Sequence, residues 1–133
     1  MKDLKASDIM MRPVMSAKRN ASARDVALQF LSGLYSGMPV TDEEGKVIGV
    51  ITEFDLLKAV MEGKELVKIA AEDVMSKKAV TADVDTPVKD IITIMKEKHI
   101  IRLPITADSK LVGVVARCDI LRSLIEPEFA SYW

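Results

Sequence analysis

The sequence predicts a mixed α/β fold, an α+β sandwich of two β-α-β-β-α repeats packed sheet to sheet about a pseudo-twofold axis. Three observations predict it: a self-similarity at constant shift, a single residue lost inside a polar turn, and short β-type runs alternating with amphipathic helical ones. At a shift of 65, Asp8-Ile9-Met10 falls on Asp73-Val74-Met75, Asp25 on Asp90 and Pro39-Val40-Thr41 on Pro104-Ile105-Thr106. The turn Asp42-Glu43-Glu44-Gly45 is then replaced by Ala107-Asp108-Ser109. Beyond it, a shift of 64 lays Val47–Ile51 on Leu111–Val115 and Asp55-Leu56-Leu57 on Asp119-Ile120-Leu121. Self-similarity at a fixed period marks two copies of one supersecondary unit.

The elements follow in order. Asp8-Ile9-Met10 and Asp73-Val74-Met75, just after Ser7 and Glu72, each suit one helical turn. First strands are expected at Val14–Ser16 and Ala79–Thr81. Amphipathic helices follow, from Ala23 to Leu31 and from Pro87 to Lys98. In the second, Val88, Ile91, Ile92 and Met95 make one apolar stripe, and Pro87 suits the first helical position, where its missing N–H is not needed. Hairpins come next, Met38–Thr41 with Val47–Thr52 and Leu103–Thr106 with Leu111–Val115. Closing helices run from Glu53 to Val60 and from Arg117 to Ile125. Residues 6–61 and 71–126 are the repeats, the charged segment 62–70 a linker, and 127–133 an aromatic tail. One repeat of about sixty residues buries little surface alone, so the copies are expected to share a core.

Composition excludes several function classes. The 133 residues are 49% hydrophobic and 29% charged, which is globular rather than disordered. A net charge of −1 offers no general attraction to nucleic acid or anionic membrane. The start, Met1 to Lys5, reads as no signal peptide, and no apolar run is long enough to cross a bilayer. Cys118 is the only cysteine, and clusters of metal-ligand spacing are lacking. A cytoplasmic protein is expected.

The segment Gly49-Val50-Ile51-Thr52-Glu53-Phe54-Asp55 carries candidate chemistry. A strand ends at Thr52 and a helix starts, so unpaired N–H groups and the positive end of the helix dipole suit a phosphate. The Thr52 hydroxyl could donate to that phosphate. Asp55, three residues on, shares its face, and a carboxylate accepts from two donors at once, as the 2′- and 3′-hydroxyls of a ribose offer. Gly49 lets the backbone approach another group closely. The same Thr-x-x-Asp spacing also satisfies a capping box, in which both side chains merely finish the helix. In the second copy the segment is Gly113-Val114-Val115-Ala116-Arg117-Cys118-Asp119. Ala116 has no hydroxyl, yet Asp119 remains, for a task of its own or for the helix dipole.

Two tandem copies with Asp-hydrophobic-Met near the start, a hydrophobic-Pro-hydrophobic strand and a Gly-hydrophobic-hydrophobic-Thr-x-x-Asp ending resemble a pair of cystathionine-β-synthase (CBS) domains, a Bateman module. The resemblance covers Ala6 to Glu126, and with no other domain in the sequence it implies a stand-alone pair. It implies a sensor of energy state or metabolites, binding AMP, ADP, ATP or S-adenosylmethionine in clefts between the copies, with no required cofactor. It also implies a homodimer and a regulated enzyme or transporter as partner. By resemblance, Val80, Thr81, Ile100, Ile101, Arg102 and Pro104 (the last within the run Arg102-Leu103-Pro104) complete the Thr52/Asp55 cleft. Met15, Ser16, Gly37, Met38 and Pro39 complete the Asp119 cleft, where Arg117 is a candidate to replace the missing hydroxyl. The alternative is a structural dimerisation or docking module with vestigial clefts. An enzyme is not expected, since nucleophile–base pairs, metal ligands and a Gly-rich phosphate loop are lacking.

Other residues have plainer readings. His99, the only histidine, is expected at a helix end or on the surface, and Cys118 as a small packed residue. Met10, Met75 and Met95 fall at core positions, and Lys96-Glu97-Lys98 reads as a solvated helix end. Phe129, Tyr132 and Trp133 are expected to pack on the domain or on a sister subunit.

Overall fold

The computed structural model describes residues 3–12, 14–33 and 35–130, with side chains described as far as Ile125. Its elements are α1 (Ala6–Ile9), β1 (Ala17–Lys18), α2 (Ala23–Gly33), β2 (Gly37–Thr41), β3 (Val47–Thr52), α3 (Glu53–Met61), a 3₁₀ turn (Leu66–Lys68), α4 (Ala71–Val74), β4 (Ala82–Asp83), α5 (Val88–Lys98), β5 (Arg102–Ala107), β6 (Lys110–Ala116) and α6 (Arg117–Ala130). Two three-stranded sheets result, ordered β1-β2-β3 and β4-β5-β6. In each, the first strand runs parallel to the second and the second pairs antiparallel with the third. The mixed α/β class and the β-α-β-β-α order are those expected.

Equivalent irregularities recur in both sheets. Each hairpin shifts register after the same position, between Val40 and Thr41 and between Ile105 and Thr106. The one-residue difference lies in the turns. Asp42 Oδ1 accepts from the Glu44 and Lys46 amides, both at 2.9 Å, and Gly45 takes a φ of 83°. In the shorter turn Asp108 and Ser109 both adopt positive φ, 51° and 69°, between the paired Ala107 and Lys110. Two central residues at positive φ are what a two-residue type I′ hairpin needs.

The chain forms two compact units, Met15–Ala79 and a second that joins the chain up to Val14 with the chain from Val80. The first turns are thus exchanged: α1 packs with the second repeat and α4 with the first. Ala6 lies in a core with Val88, Ile91, Leu103, Ile105 and Val115. Ala71 lies in the other, with Val26, Phe30, Met38, Val40 and Ile51. Both turns are closed by their own aspartates, which accept the preceding backbone amides: Lys5 N–H to Asp8 at 2.8 Å and Ala70 N–H to Asp73 at 2.9 Å.

Several local expectations are corrected. The first strands sit three residues later than read, at Ala17–Lys18 and Ala82–Asp83. Their ladder partners are Val40-Thr41 and Ile105-Thr106, and small buried alanines rather than β-branched residues face the core there. Pro87 is extended (φ −59°, ψ 141°) and caps α5 instead of opening it, because it bridges to Lys5. Val88, Ile91 and Met95 are buried, but Ile92 is exposed and Ile94 takes its place against the core. Cys118 is exposed, not packed. The charged segment 62–70 between the repeats also makes contacts of its own: Leu66 and Ile69 pack on the core, and the Ile69 carbonyl accepts the Ala23 amide at 2.8 Å.

Other expectations hold. His99 ends α5 in the left-handed conformation, its amide donating to the Met95 carbonyl. Lys96, Glu97 and Lys98 are exposed, Met95 is buried, and Met10 and Met75 pack against the two cores. No helix among the described residues is long and apolar enough to cross a membrane. Tyr132, Trp133 and the Phe129 side chain lie outside the described residues.

Candidate functional site

Strand β3 delivers the chain to Thr52, whose extended backbone (φ −121°, ψ 166°) is that of a helix N-cap. Asp55 Oδ2 accepts the Thr52 amide at 2.8 Å and the Thr52 hydroxyl at 3.0 Å, and Thr52 Oγ1 in turn accepts the Asp55 amide at 3.3 Å. The capping box is therefore formed. The hydroxyl proton expected at a phosphate is directed to Asp55, so Thr52 orients the carboxylate. The Glu53 amide, first in the helix, donates to the Ser36 carbonyl at 3.0 Å. Both contacts to the carboxylate fall on Oδ2, so Asp55 Oδ1 has no partner among the described residues.

Asp55 borders a cavity of about 450 Å³ inside the Met15–Ala79 unit. Lys58, Glu62 and Lys64 line it from the α3 side, and Asp73, Met75 and Ser76 from the α4 side. Gly49 makes this approach possible. A Cβ there would stand 2.6 Å from Met75 Sδ and 2.6 Å from the Ser76 carbonyl oxygen. Val50 and Ser76 exchange two backbone hydrogen bonds of 2.9 Å beside it. The close approach expected of Gly49 is thus to the chain's own segment after α4. Gly113 does the same for Met10, whose Sδ would lie 2.5 Å from a Cβ.

The second copy keeps the backbone plan and changes the side chains. The Arg117 amide donates to the Ile101 carbonyl at 3.2 Å, as Glu53 does to Ser36. Asp119 Oδ2 accepts the Ala116 amide at 2.8 Å, and Oδ1 accepts from Arg122 Nη1 at 2.9 Å. Asp119 is 7% exposed. The Arg122 guanidinium is held above its ordinary pKa, first by the hydrogen bond to Asp119 and then by its charge. Arg117, weighed as a replacement for the missing hydroxyl, is exposed. Arg122 and Lys58 were not among the candidate residues, although their position three residues beyond each aspartate was a signal for them.

The remaining candidates are placed as follows. Gly37 stands opposite Thr52 in the β2–β3 ladder, followed by Met38 and Pro39; Met38 turns its side chain into the core at 3% exposure, and Pro39 is buried. Met15 is exposed and Ser16 half-buried, just before β1. Val80, packed against its core, and half-buried Thr81 lead into β4. Ile100 is half-buried, Ile101 and Arg102 are exposed and Pro104 is half-buried, with Arg102 opposite Ala116. Within each unit, then, Gly37 pairs with Thr52 and Arg102 with Ala116, the residues just before the helices that carry Asp55 and Asp119.

A family model, the CBS domain, matches the chain twice, over residues 6–62 and 71–126. The chain belongs to the CBS domain family. Among its relatives, an uncharacterized protein of Methanopyrus kandleri is 32% identical over 129 residues, 96% of this chain and 65% of its own length. The L-aspartate semialdehyde sulfurtransferase of Methanocaldococcus jannaschii is 31% identical over 116 residues, 86% of this chain but 22% of the enzyme. The chain therefore spans less than two thirds of both. The crystal structure of the CBS domain pair of protein MJ0100 in complex with 5′-methylthioadenosine and S-adenosyl-L-methionine is similar to this chain with a TM-score of 0.74. The two are 30% identical, and the match covers 91% of this chain and 95% of that one.

Proposed function

We propose that this CBS pair is a regulatory module that binds an adenosyl ligand, an adenine nucleotide or S-adenosylmethionine, and modulates a partner protein such as an enzyme or transporter. The observation that carries the reading is the Asp55 carboxylate. One of its oxygens is fixed by Thr52, and the other is unengaged at the edge of a cavity. A preoriented acceptor of this kind suits a vicinal diol. The adenosyl compounds bound by the CBS pair of MJ0100, 30% identical, support the same ligand class. In this reading Thr52 positions Asp55, whose unengaged oxygen takes the ribose hydroxyls. The module itself contributes binding rather than catalysis.

A homodimer belongs to the same proposal. Helix α3 exposes Phe54, Leu57, Val60 and Met61, and α6 exposes Leu121, Leu124 and Ile125 at the positions equivalent to the last three. An isologous interface brings the same patch of two copies together, and exposed apolar helix faces of this kind suit one.

A thermal-shift series with adenosine, AMP, ADP, ATP, S-adenosylmethionine and guanosine tests the ligand class. A ligand at a hundred times its Kd adds about 2.7 kcal/mol to stability, which raises Tm by several degrees. Stabilisation by adenosyl compounds and not by guanosine is expected. No shift with any adenosyl compound at millimolar concentration would remove the proposal.

A further inference from the structure

The two aspartates at equivalent positions are in opposite states. Asp55 uses one carboxylate oxygen within the protein and leaves Oδ1 unengaged, and the residue three positions on, Lys58, makes no ion pair among the described residues. Asp119 uses both, Oδ2 for the Ala116 amide and Oδ1 for Arg122 Nη1 at 2.9 Å, and is 7% exposed. Two substitutions between the repeats produce this. Ala116 in place of threonine removes a hydroxyl donor from the carboxylate, and arginine in place of lysine adds a planar, multi-donor group that a lysine ammonium does not match. A ribose diol needs a free acceptor. At Asp119 it must first displace a charge-assisted hydrogen bond from a nearly buried carboxylate.

The geometry points to Arg122 as a built-in occupant of the second anchor: its guanidinium takes the place of a ligand's ribose on Asp119, so that the pair binds one adenosyl ligand per chain, at Asp55. The inference rests on the ribose reading of Asp55. Arg122 is thereby the residue that sets how many ligands the pair holds. Its side chain is 49% exposed, so its removal leaves the core of its unit intact.

Calorimetric titration of adenosine into the full chain tests it, with Arg122→Ala, Arg122→Lys, Asp55→Asn and the double variant Asp55→Asn/Arg122→Ala. The wild type is expected to bind about one adenosine per chain and Asp55→Asn almost none. Arg122→Ala and Arg122→Lys are expected to bind about two, the second at least roughly tenfold more tightly than any residual second event in the wild type. The double variant should bind about one, now through Asp119. Two sites already filled in the wild type, or one site in both Arg122 variants, would overturn the assignment of Arg122 while leaving the Asp55 reading intact. Absence of adenosine binding by the wild type and by every variant would overturn both.

Discussion

Replacing Asp55 by asparagine separates ligand binding from helix capping. The Thr52 amide, 2.8 Å from Oδ2, requires an acceptor, so the asparagine carbonyl will take the Oδ2 place. The amide nitrogen then stands where Oδ1 stood, and an acceptor becomes a donor facing the ligand. The capping contact survives without its charge, so stability should fall by no more than about 0.5–1 kcal/mol, the scale of a helix-dipole contribution. Ligand binding loses at least one charge-assisted hydrogen bond, about 1.5–3 kcal/mol, or roughly ten- to a hundredfold in Kd. Asp55→Ala adds a cost of about 1–3 kcal/mol, because the half-buried Thr52 amide then has no side-chain acceptor. Calorimetry for Kd and chemical denaturation for stability measure the two effects on the same samples. Unchanged adenosine affinity in Asp55→Asn, with normal folding, would refute the ribose reading and leave Asp55 as a cap alone.

Further predictions concern the frame around the site. Gly49→Ala places a methyl group 2.6 Å from a carbonyl oxygen and should destabilise by about 1–3 kcal/mol, the range for overpacking, seen as a lower denaturation midpoint with unchanged m-value. Leu57→Glu combined with Leu121→Glu, both at exposed positions, should give monomers in sedimentation velocity with melting little changed; an unaltered sedimentation coefficient would place any dimer elsewhere. Asp42 is held below its ordinary pKa, first by the Lys46 amide. Its stabilisation is therefore full above the unfolded value and is lost as pH falls through the lower folded one. Asp42→Asn should accordingly be less stable than wild type at pH 7, and the difference should close as pH falls through the lowered folded value of Asp42.

The repeat, the two amphipathic helices and both hairpins were legible because they are periodic features, and periodicity survives without knowledge of the fold. What was not legible depends on partners distant in sequence. Ala17 and Ala82 have weak strand preference and become strand residues only because Val40 and Ile105 offer a parallel ladder. Nothing local says that α1 will pack with the second repeat's core. Pro87 read as a first helical residue, yet its bridge to Lys5 keeps it extended. At the site, the capping box and the close approach at Gly49 were both legible. The use of the Thr52 proton was not, since a hydroxyl's choice of acceptor depends on rotamers. Arg122 was open to inference from its spacing alone.

Helix α3 ties these features together. Its first turn carries Asp55, and its outer face carries Phe54, Leu57, Val60 and Met61, all exposed. Phe54 is adjacent to the anchor in sequence and Leu57 two residues beyond it. A ligand changes a partner's affinity only if it binds one arrangement of the protein better than another. Here the carboxylate that would read the ribose is also the one that closes the helix N-terminus, through the Thr52 amide and hydroxyl. A ligand drawing on Asp55 must act on the cap, and the cap sets the position of the first turn to which Phe54 belongs. Coupling between the anchor and the exposed face thus needs no relay through the core. Where dimerisation and binding are linked, a Phe54 substitution that makes the chain fully monomeric should change adenosine affinity, measured by calorimetry, by the factor with which bound adenosine changes dimerisation, because coupling free energy is reciprocal.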